Sequence, residues 1–245
     1  MTRLDVALVE RGLSRTRSQA REAILRGVVR VDGAVVTRAG HRVAPQARLE
    51  TEGETYVSRA AHKLVAALDH FAIDPAGAHA LDIGASTGGF TEVLLARGAA
   101  HVVALDVGRD QLVAALRRDA RVTVMEGFNA RALTAADLAY APDLVVSDVS
   151  FISLRLALPP ALRLAAPGAR LAALVKPQFE VGPAHIGKGG LVKDEAAARL
   201  ALDEVVAAVT ACGWRVAPPI PSPIEGGDGN REWLIAAERD AGARP

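Results

Sequence analysis

Two kinds of residue in this 245-residue chain are spaced to do chemistry: small residues gathered in one glycine loop, and a few charged groups at the ends of apolar runs. The run over residues 80–83 carries Asp82, breaks at Gly84-Ala85-Ser86-Thr87-Gly88-Gly89, and resumes at Phe90 as an amphipathic helix. Glycines without side chains let the backbone lie against a ligand, and a strand, loop and helix in this order open nucleotide-binding α/β folds. Taken alone, the loop reads equally well as an ordinary strand-turn-helix. A second apolar run ends in Asp106, 24 residues beyond Asp82, where such folds accept hydrogen bonds from ribose hydroxyls. Two more runs end in Asp148 and Lys176. Of the 29 basic residues 25 are arginine, and the lysines are Lys63, Lys176, Lys188 and Lys193. Where arginine is the default, a lysine can mark a need for a compact, deprotonatable amine, although four positions are few enough for chance.

The loop lacks the G-x-G-x-x-G order of a dinucleotide site, and no Gly-Lys-Ser/Thr follows, so it is not a phosphate loop. A nucleoside cofactor without a pyrophosphate fits what remains, which points to S-adenosyl-L-methionine and away from a nicotinamide dehydrogenase. Its expected contacts are Asp82, Gly84, Ala85, Ser86, Gly88, Gly89, Phe90, Asp106 and Asp148. Asn129 joins them from the loop 127–131, which is suitably ordered to meet an adenine edge. No metal is expected: the single cysteine, Cys212, excludes a disulfide framework and a cysteine-rich zinc site, and reads as a small buried apolar residue.

These residues need elements to position them. Strands expected over 80–83, 101–106, 121–125, 143–148 and 169–175 alternate with helices. That pattern gives a Rossmann-like α/β methyltransferase fold: a mostly parallel seven-stranded sheet with helices on both faces. Strand ends gather on one edge, so Asp82, Asp106, Asp148 and Lys176 should converge at one crevice. Ahead of the sheet, a helix carries Leu64, Ala67, Leu68 and Phe71 on one side. Lys63 in its first turn is poorly placed for the helix dipole, which favours a non-structural reason for it. After the sheet strands, a glycine-rich loop over 181–190 holds His185 and Lys188, which read as solvated charge or as substrate contacts alike. A long helix over 194–211 should turn Leu200, Ala201, Val205, Ala208 and Val209 to the core, with Lys193 at the surface before it. Strands over 214–218 and 233–237 then flank a loop, bringing Arg231 and Glu232 to the same edge.

The net charge of +1 hides an asymmetry. Residues 1–48 hold ten arginines against Asp5, Glu10, Glu22 and Asp32, giving +6; the remainder, with 19 basic and 24 acidic residues, carries −5. Helices over 3–11 and 17–25, the second with Ala20, Ala23, Ile24 and Leu25 inward, precede a hairpin turned at Asp32-Gly33, a small α+β unit. Arg15, Arg17, Arg21 and Arg26 lie at or near one exposed side and, with Arg30 on the hairpin, suit a polyanion. The run from Arg3-Leu4-Asp5 through Arg15-Thr16-Arg17-Ser18-Gln19-Ala20-Arg21 to Val31-Asp32-Gly33 closely resembles the RNA-binding domain named after small-subunit ribosomal protein four. The resemblance implies that the arginines meet RNA phosphates, by shape and charge rather than by sequence. The expected division is an RNA-binding domain over 1–50, a linker over 51–58 and the α/β domain over 59–245. No secretory leader or membrane span is expected, and the chain is expected in the cytoplasm as a monomer.

Four blocks carry a second resemblance: Val57-Ser-Arg-Ala-Ala-His-Lys63-Leu64, Leu81 to Glu92, Asp143 to Ser153, and Leu174-Val-Lys176-Pro-Gln-Phe-Glu180. Together with the domain order they look like the TlyA (haemolysin A) family, among the FtsJ-like RNA 2′-O-methyltransferases. The family implies a Lys-Asp-Lys-Glu tetrad, which falls on Lys63, Asp148, Lys176 and, in Gly229-Asn230-Arg231-Glu232-Trp233, on Glu232. A ribose hydroxyl is a poor nucleophile and a sulfonium methyl already a strong electrophile, so alignment and proton removal are what an enzyme must add. Lys176 is expected to activate the hydroxyl, Lys63 to depress its pKa by like-charge repulsion, and Asp148 and Glu232 to orient the amines. The resemblance implies cytidines of ribosomal RNA, free or in ribosomal subunits, as substrate. The short ends of this chain lean toward the large subunit. A non-catalytic RNA-binding or ribosome-assembly factor is the alternative, disfavoured because tetrad and cofactor loop stand intact together. A membrane-active haemolysin finds no span, signal or strongly amphipathic basic helix to support it.

Overall fold

A computed structural model describes residues 1–14, 17–51, 56–226 and 229–242, with only the backbone of Ser18, Gln19 and Glu22. The chain divides into two units, Met1–Arg59 and Ala60–Pro245.

In the first unit β1 (Thr2–Arg3), α1 (Leu4–Glu10) and α2 (Arg17–Leu25) precede β2 (Val29–Val31), β3 (Ala34–Val35), β4 (Arg42–Val43) and β5 (Leu49–Thr51). Asp32 and Gly33 both take positive φ, as a two-residue hairpin turn between β2 and β3 requires. β2 also pairs with β5, and β1 with β4; these strands of two or three residues are too short to show alternation in the sequence. Leu4, Leu8, Ala20, Ile24 and Val29 form the core. Leu25, expected inward, is 68% exposed, because one residue past Ile24 it rotates off the stripe made by Ala20, Ala23 and Ile24. Thr51, expected in a linker, ends β5. Arg15 and linker residues 52–55 lie outside the described residues.

The second unit begins with α3 (Ala60–His70), β6 (His79–Ile83), α4 (Gly89–Ala96), β7 (His101–Asp106), α5 (Ala114–Arg117) and β8 (Val122–Glu126). It continues with β9 (Leu144–Ser147), α6 (Leu154–Leu164), β10 (Arg170–Val175), α7 (Glu195–Ala211), β11 (Trp214–Val216), β12 (Ile220–Pro221) and β13 (Trp233–Arg239). Among the described residues the sheet runs β11-β13-β10-β9-β6-β7-β8, with the two-residue β12 paired on β13 beside that path of seven. β6 to β10 run parallel to one another, and β13 lies antiparallel between β10 and β11. Strand order reverses at β6, which has β7 on one side and β9 on the other, and ligands of such sheets bind beyond that point.

β9 and β10 are buried almost throughout, as strands covered on both faces are. α4 is buried through Phe90, Thr91, Val93, Leu94 and Leu95, more deeply than an amphipathic surface helix. α7 turns Ala198, Ala201, Leu202, Val205 and Val209 inward. Leu200, expected in the core, is 61% exposed; Leu202 occupies the stripe instead, four residues from Ala198. Cys212 is half-buried rather than fully enclosed, and burial raises its thiol pKa. Among the described residues no helix is long and apolar enough to cross a membrane.

Candidate active site

β6 delivers its chain to the switch point, and the loop after it is shaped by two glycines. Gly84 has φ +85, and a Cβ there would lie 2.9 Å from the Asp148 carbonyl oxygen, so the β6 and β9 loops touch backbone to backbone. Gly88, at φ +102, caps α4 where a Cβ would run into Leu112 and Leu116. Beyond these loops lies a cavity of about 500 Å³ lined by Gly84, Ser86, Asp106, Phe128, Asn129 and Asp148. The Asp106 carboxylate accepts hydrogen bonds from the backbone N–H of Ser86 (2.8 Å) and of Gly108 (2.7 Å), one on each oxygen. Each oxygen keeps a lone pair for a ligand hydroxyl. Asn129 caps a 3-10 turn, its Oδ1 accepting from Arg131 N at 3.0 Å.

The remaining expected cofactor residues do not line this cavity. Ala85 and Gly88 are buried positions of the loop itself, and Gly89 and Phe90 are buried in the first turn of α4. Asp82, expected at the crevice, is instead fully buried in β6, because that strand is covered on both faces. Its Oδ2 accepts from Thr91 Oγ1 at 2.7 Å, while Oδ1 has no partner among the described residues. Burial pushes the Asp82 carboxyl up to about 7, with the nearby Asp148 and Asp106 charges adding to the rise and the Thr91 hydrogen bond opposing it.

The four charged groups expected to act together stand as two ion pairs. Lys63 on α3 and Glu232 before β13, both buried, meet at 2.5 Å. Lys176 Nζ lies 2.6 Å from Asp148 Oδ1, in ion-pair geometry, and donates to Ser150 Oγ at 2.9 Å. The register of β10 against β13 ends with Val175 opposite Trp233, so Lys176 and Glu232 take the next opposed positions at the same sheet edge. Asp148 joins the Lys176 pair to the cavity, since it lines the cavity and pairs with Lys176.

Two contributors lie inside the blocks quoted above, although no role was expected of them. Phe151 is 92% exposed at φ +65, its ring 5.2 Å from that of Phe179 and its edge on the cavity. Buried Glu180 accepts from Ser153 Oγ at 2.5 Å and from Leu154 N at 2.7 Å, tying the turn after Lys176 to the start of α6. Burial raises the Glu180 pKa against those hydrogen bonds. The block that ends in Glu180 marks the residue, but sequence alone does not say what its carboxylate bonds.

In the first unit, Asp5 is fully buried and accepts from Arg3 Nε at 2.9 Å and from Arg17 Nη2 at 3.2 Å. The Arg3 hydrogen bond, with Arg17 adding to it, holds the Asp5 carboxyl down at about 2. Arg17 therefore has a structural partner as well as an exposed side chain. Arg21 and Arg26 are exposed, and Arg30 donates to Gly33 O at 3.2 Å.

The FtsJ-like methyltransferase description matches residues 56–239, well over half of the sequence. The chain belongs to the FtsJ-like methyltransferase family. An S4 domain matches residues 2–49. The 16S/23S rRNA (cytidine-2′-O)-methyltransferase TlyA of Mycobacterium tuberculosis is 48% identical over 95% of this chain and 88% of its own length. The 23S rRNA (cytidine-2′-O)-methyltransferase TlyA of Campylobacter jejuni is 37% identical over 76% of this chain and 72% of its own. A solved structure, a candidate hemolysin from Streptococcus thermophilus, is 40% identical and superposes with a TM-score of 0.75, covering 98% of this chain and 88% of that one. The FtsJ-like match spans the glycine loop, the residues lining the switch-point cavity and both lysine–carboxylate pairs.

Proposed function

We propose that this chain transfers a methyl group from S-adenosyl-L-methionine to the ribose 2′-hydroxyl of cytidine in ribosomal RNA, in the cytoplasm. The observation that carries the reading is Asp148, which walls the cofactor-sized cavity and also holds Lys176. The cavity residues fit that cofactor: Asp106 offers acceptors for ribose hydroxyls, Phe128 an apolar wall and Asn129 a polar rim for an adenine, and the Gly84 backbone an approach free of side chains. When bound, S-adenosyl-L-methionine supplies an electrophilic methyl group. Lys176, oriented by Asp148 and Ser150, meets the 2′-hydroxyl and in its amine form takes the hydroxyl proton. Lys63, anchored on Glu232, places a second ammonium at the same edge, where it favours an anionic oxygen. The basic first unit holds the RNA through its phosphates, with Arg21, Arg26 and Arg30 as contacts.

Large-subunit RNA is the proposed target, because it is common to the names of both TlyA relatives; small-subunit RNA is the second reading, favoured by the more identical one. The test is transfer of labelled methyl from S-adenosyl-L-methionine to ribosomal subunits that lack the modification, followed by mapping of 2′-O-methyl cytidines. The expected result is one or more such cytidines in the large subunit, with Lys176→Met abolishing transfer while the cofactor still binds in a calorimetric titration. Methylation surviving in Lys176→Met overturns the role of Lys176, and labelling of protein or base instead of ribose overturns the reaction.

A further inference from the structure

Lys193 has no part in the reaction, yet it lines a second cavity, of about 390 Å³, where α7 and β13 begin. Pro177 and Trp233, the chain neighbours of Lys176 and Glu232, form part of its wall. The turn Pro177–Phe179 stands between the two cavities: Pro177 faces this one, and the Phe179 ring rests against Phe151 at the rim of the other. Lys193, Arg199 and Arg231 bring three cations here against one carboxylate, Glu195. Arg231 meets Glu195 at 3.3 Å and Arg199 meets Asp203 at 3.4 Å, but these are solvent-exposed pairs, which hold their partners weakly and exchange them for a stronger anion. The wall itself is fixed by buried Asn230, whose Oδ1 accepts from Val192 N and whose Nδ2 donates to Gly190 O, both at 2.9 Å.

A preformed cavity in the size range of ligand sites, positive in balance and one turn away from Lys176, suits one part of a polyanion. We propose that it holds the nucleotide adjoining the methylated ribose, with the phosphate met by Lys193, Arg199 and Arg231. The proposal rests on RNA being the methyl acceptor. A strand whose ribose sits at Lys176 has its neighbouring phosphate one sugar away, and the cations would fix which hydroxyl reaches the amine.

The test compares the full chain with Lys193→Gln/Arg199→Gln, and with Arg118→Gln/Arg163→Gln as a control of equal charge loss at exposed arginines that line none of the cavities described. Methyl transfer to ribosomal subunits is followed against RNA and salt concentration. The pocket variant should raise KM for RNA roughly fivefold and flatten the slope of log KM against log salt by about 1.4, with kcat and cofactor affinity unchanged. The control should do markedly less. Equal effects in both doubles, or an unchanged KM, overturn the proposal while leaving RNA methylation standing. If the unaltered chain methylates no RNA, the proposed function fails, and the cavity is judged by fluorescence anisotropy with a single-stranded RNA oligonucleotide; equal affinity of chain and pocket variant then overturns it too.

Discussion

Asp82 titrates in the neutral range because burial raises its carboxyl from 3.8 to about 7. The unfolded chain loses this proton near 3.8 and the folded chain only near 7. The folded state is therefore favoured by this group fully below pH 3.8, and that advantage is lost as pH rises toward 7. Asp82→Asn cannot ionise, so its thermal midpoint relative to the unaltered chain should climb between pH 5 and pH 8; a gap that stays constant across that range would show that Asp82 does not titrate there. Glu232 makes the converse case. Removing it leaves the Lys63 ammonium buried without a counter-charge, and Glu232→Ala should cost about 3–5 kcal/mol in urea unfolding. At this scale the sequence was informative where residue type is rare. Lys63 and Lys176 stand out among arginines, and Asp106 follows from its position after an apolar run. The strand pattern brought Glu232 to the sheet edge, but its place in the tetrad was reached only through resemblance, because a glutamate before a strand has no local signature. The burial of Asp82 was missed because the residue was placed at the end of its strand, whereas β6 runs on through Ile83 and keeps Asp82 inside the covered sheet.

Loops at the sheet edge control how these groups meet. Gly84→Ala would force a side chain at φ +85 and a Cβ into contact with the Asp148 backbone, at a cost of about 1–2 kcal/mol for the conformation alone. Because Asp148 orients Lys176, cofactor affinity and methyl transfer should fall together in that variant, measured by calorimetry and single-turnover transfer. Glu180 is a strut between the turn after Lys176 and the start of α6. Glu180→Ala should lower kcat on the order of tenfold or more through misplacement of Lys176, with KM for the cofactor nearly unchanged. The long elements were readable from period and punctuation, but β1, β4, β5 and β12 were not, since two or three residues cannot display alternation. Leu25 and Leu200 misled for a related reason: a strong hydrophobe beside an apolar stripe looks like part of it, although one residue's rotation puts it in water.

Across the whole molecule, charge is divided by task. The first 48 residues carry +6 and the remainder −5, which assigns RNA attraction chiefly to the first unit. Arg21→Gln/Arg26→Gln should therefore weaken RNA binding and flatten its salt dependence by about 1.4 while leaving cofactor affinity intact. An unchanged salt slope would move the main RNA contact elsewhere. The division itself was visible in composition, whereas the antiparallel insertion of β13 was not, because strand direction follows from tertiary pairing. That insertion governs the order in which the protein becomes competent. Lys63 and Glu232 are separated by 169 positions, so a chain leaving the ribosome has its basic unit, glycine loop and first lysine long before the carboxylate that secures that lysine. A chain cut ahead of Glu232 and β13 keeps the basic unit and the glycine loop but lacks the partner of Lys63. Such a chain should bind ribosomal RNA without methylating it, which filter binding and methyl transfer on that fragment would check.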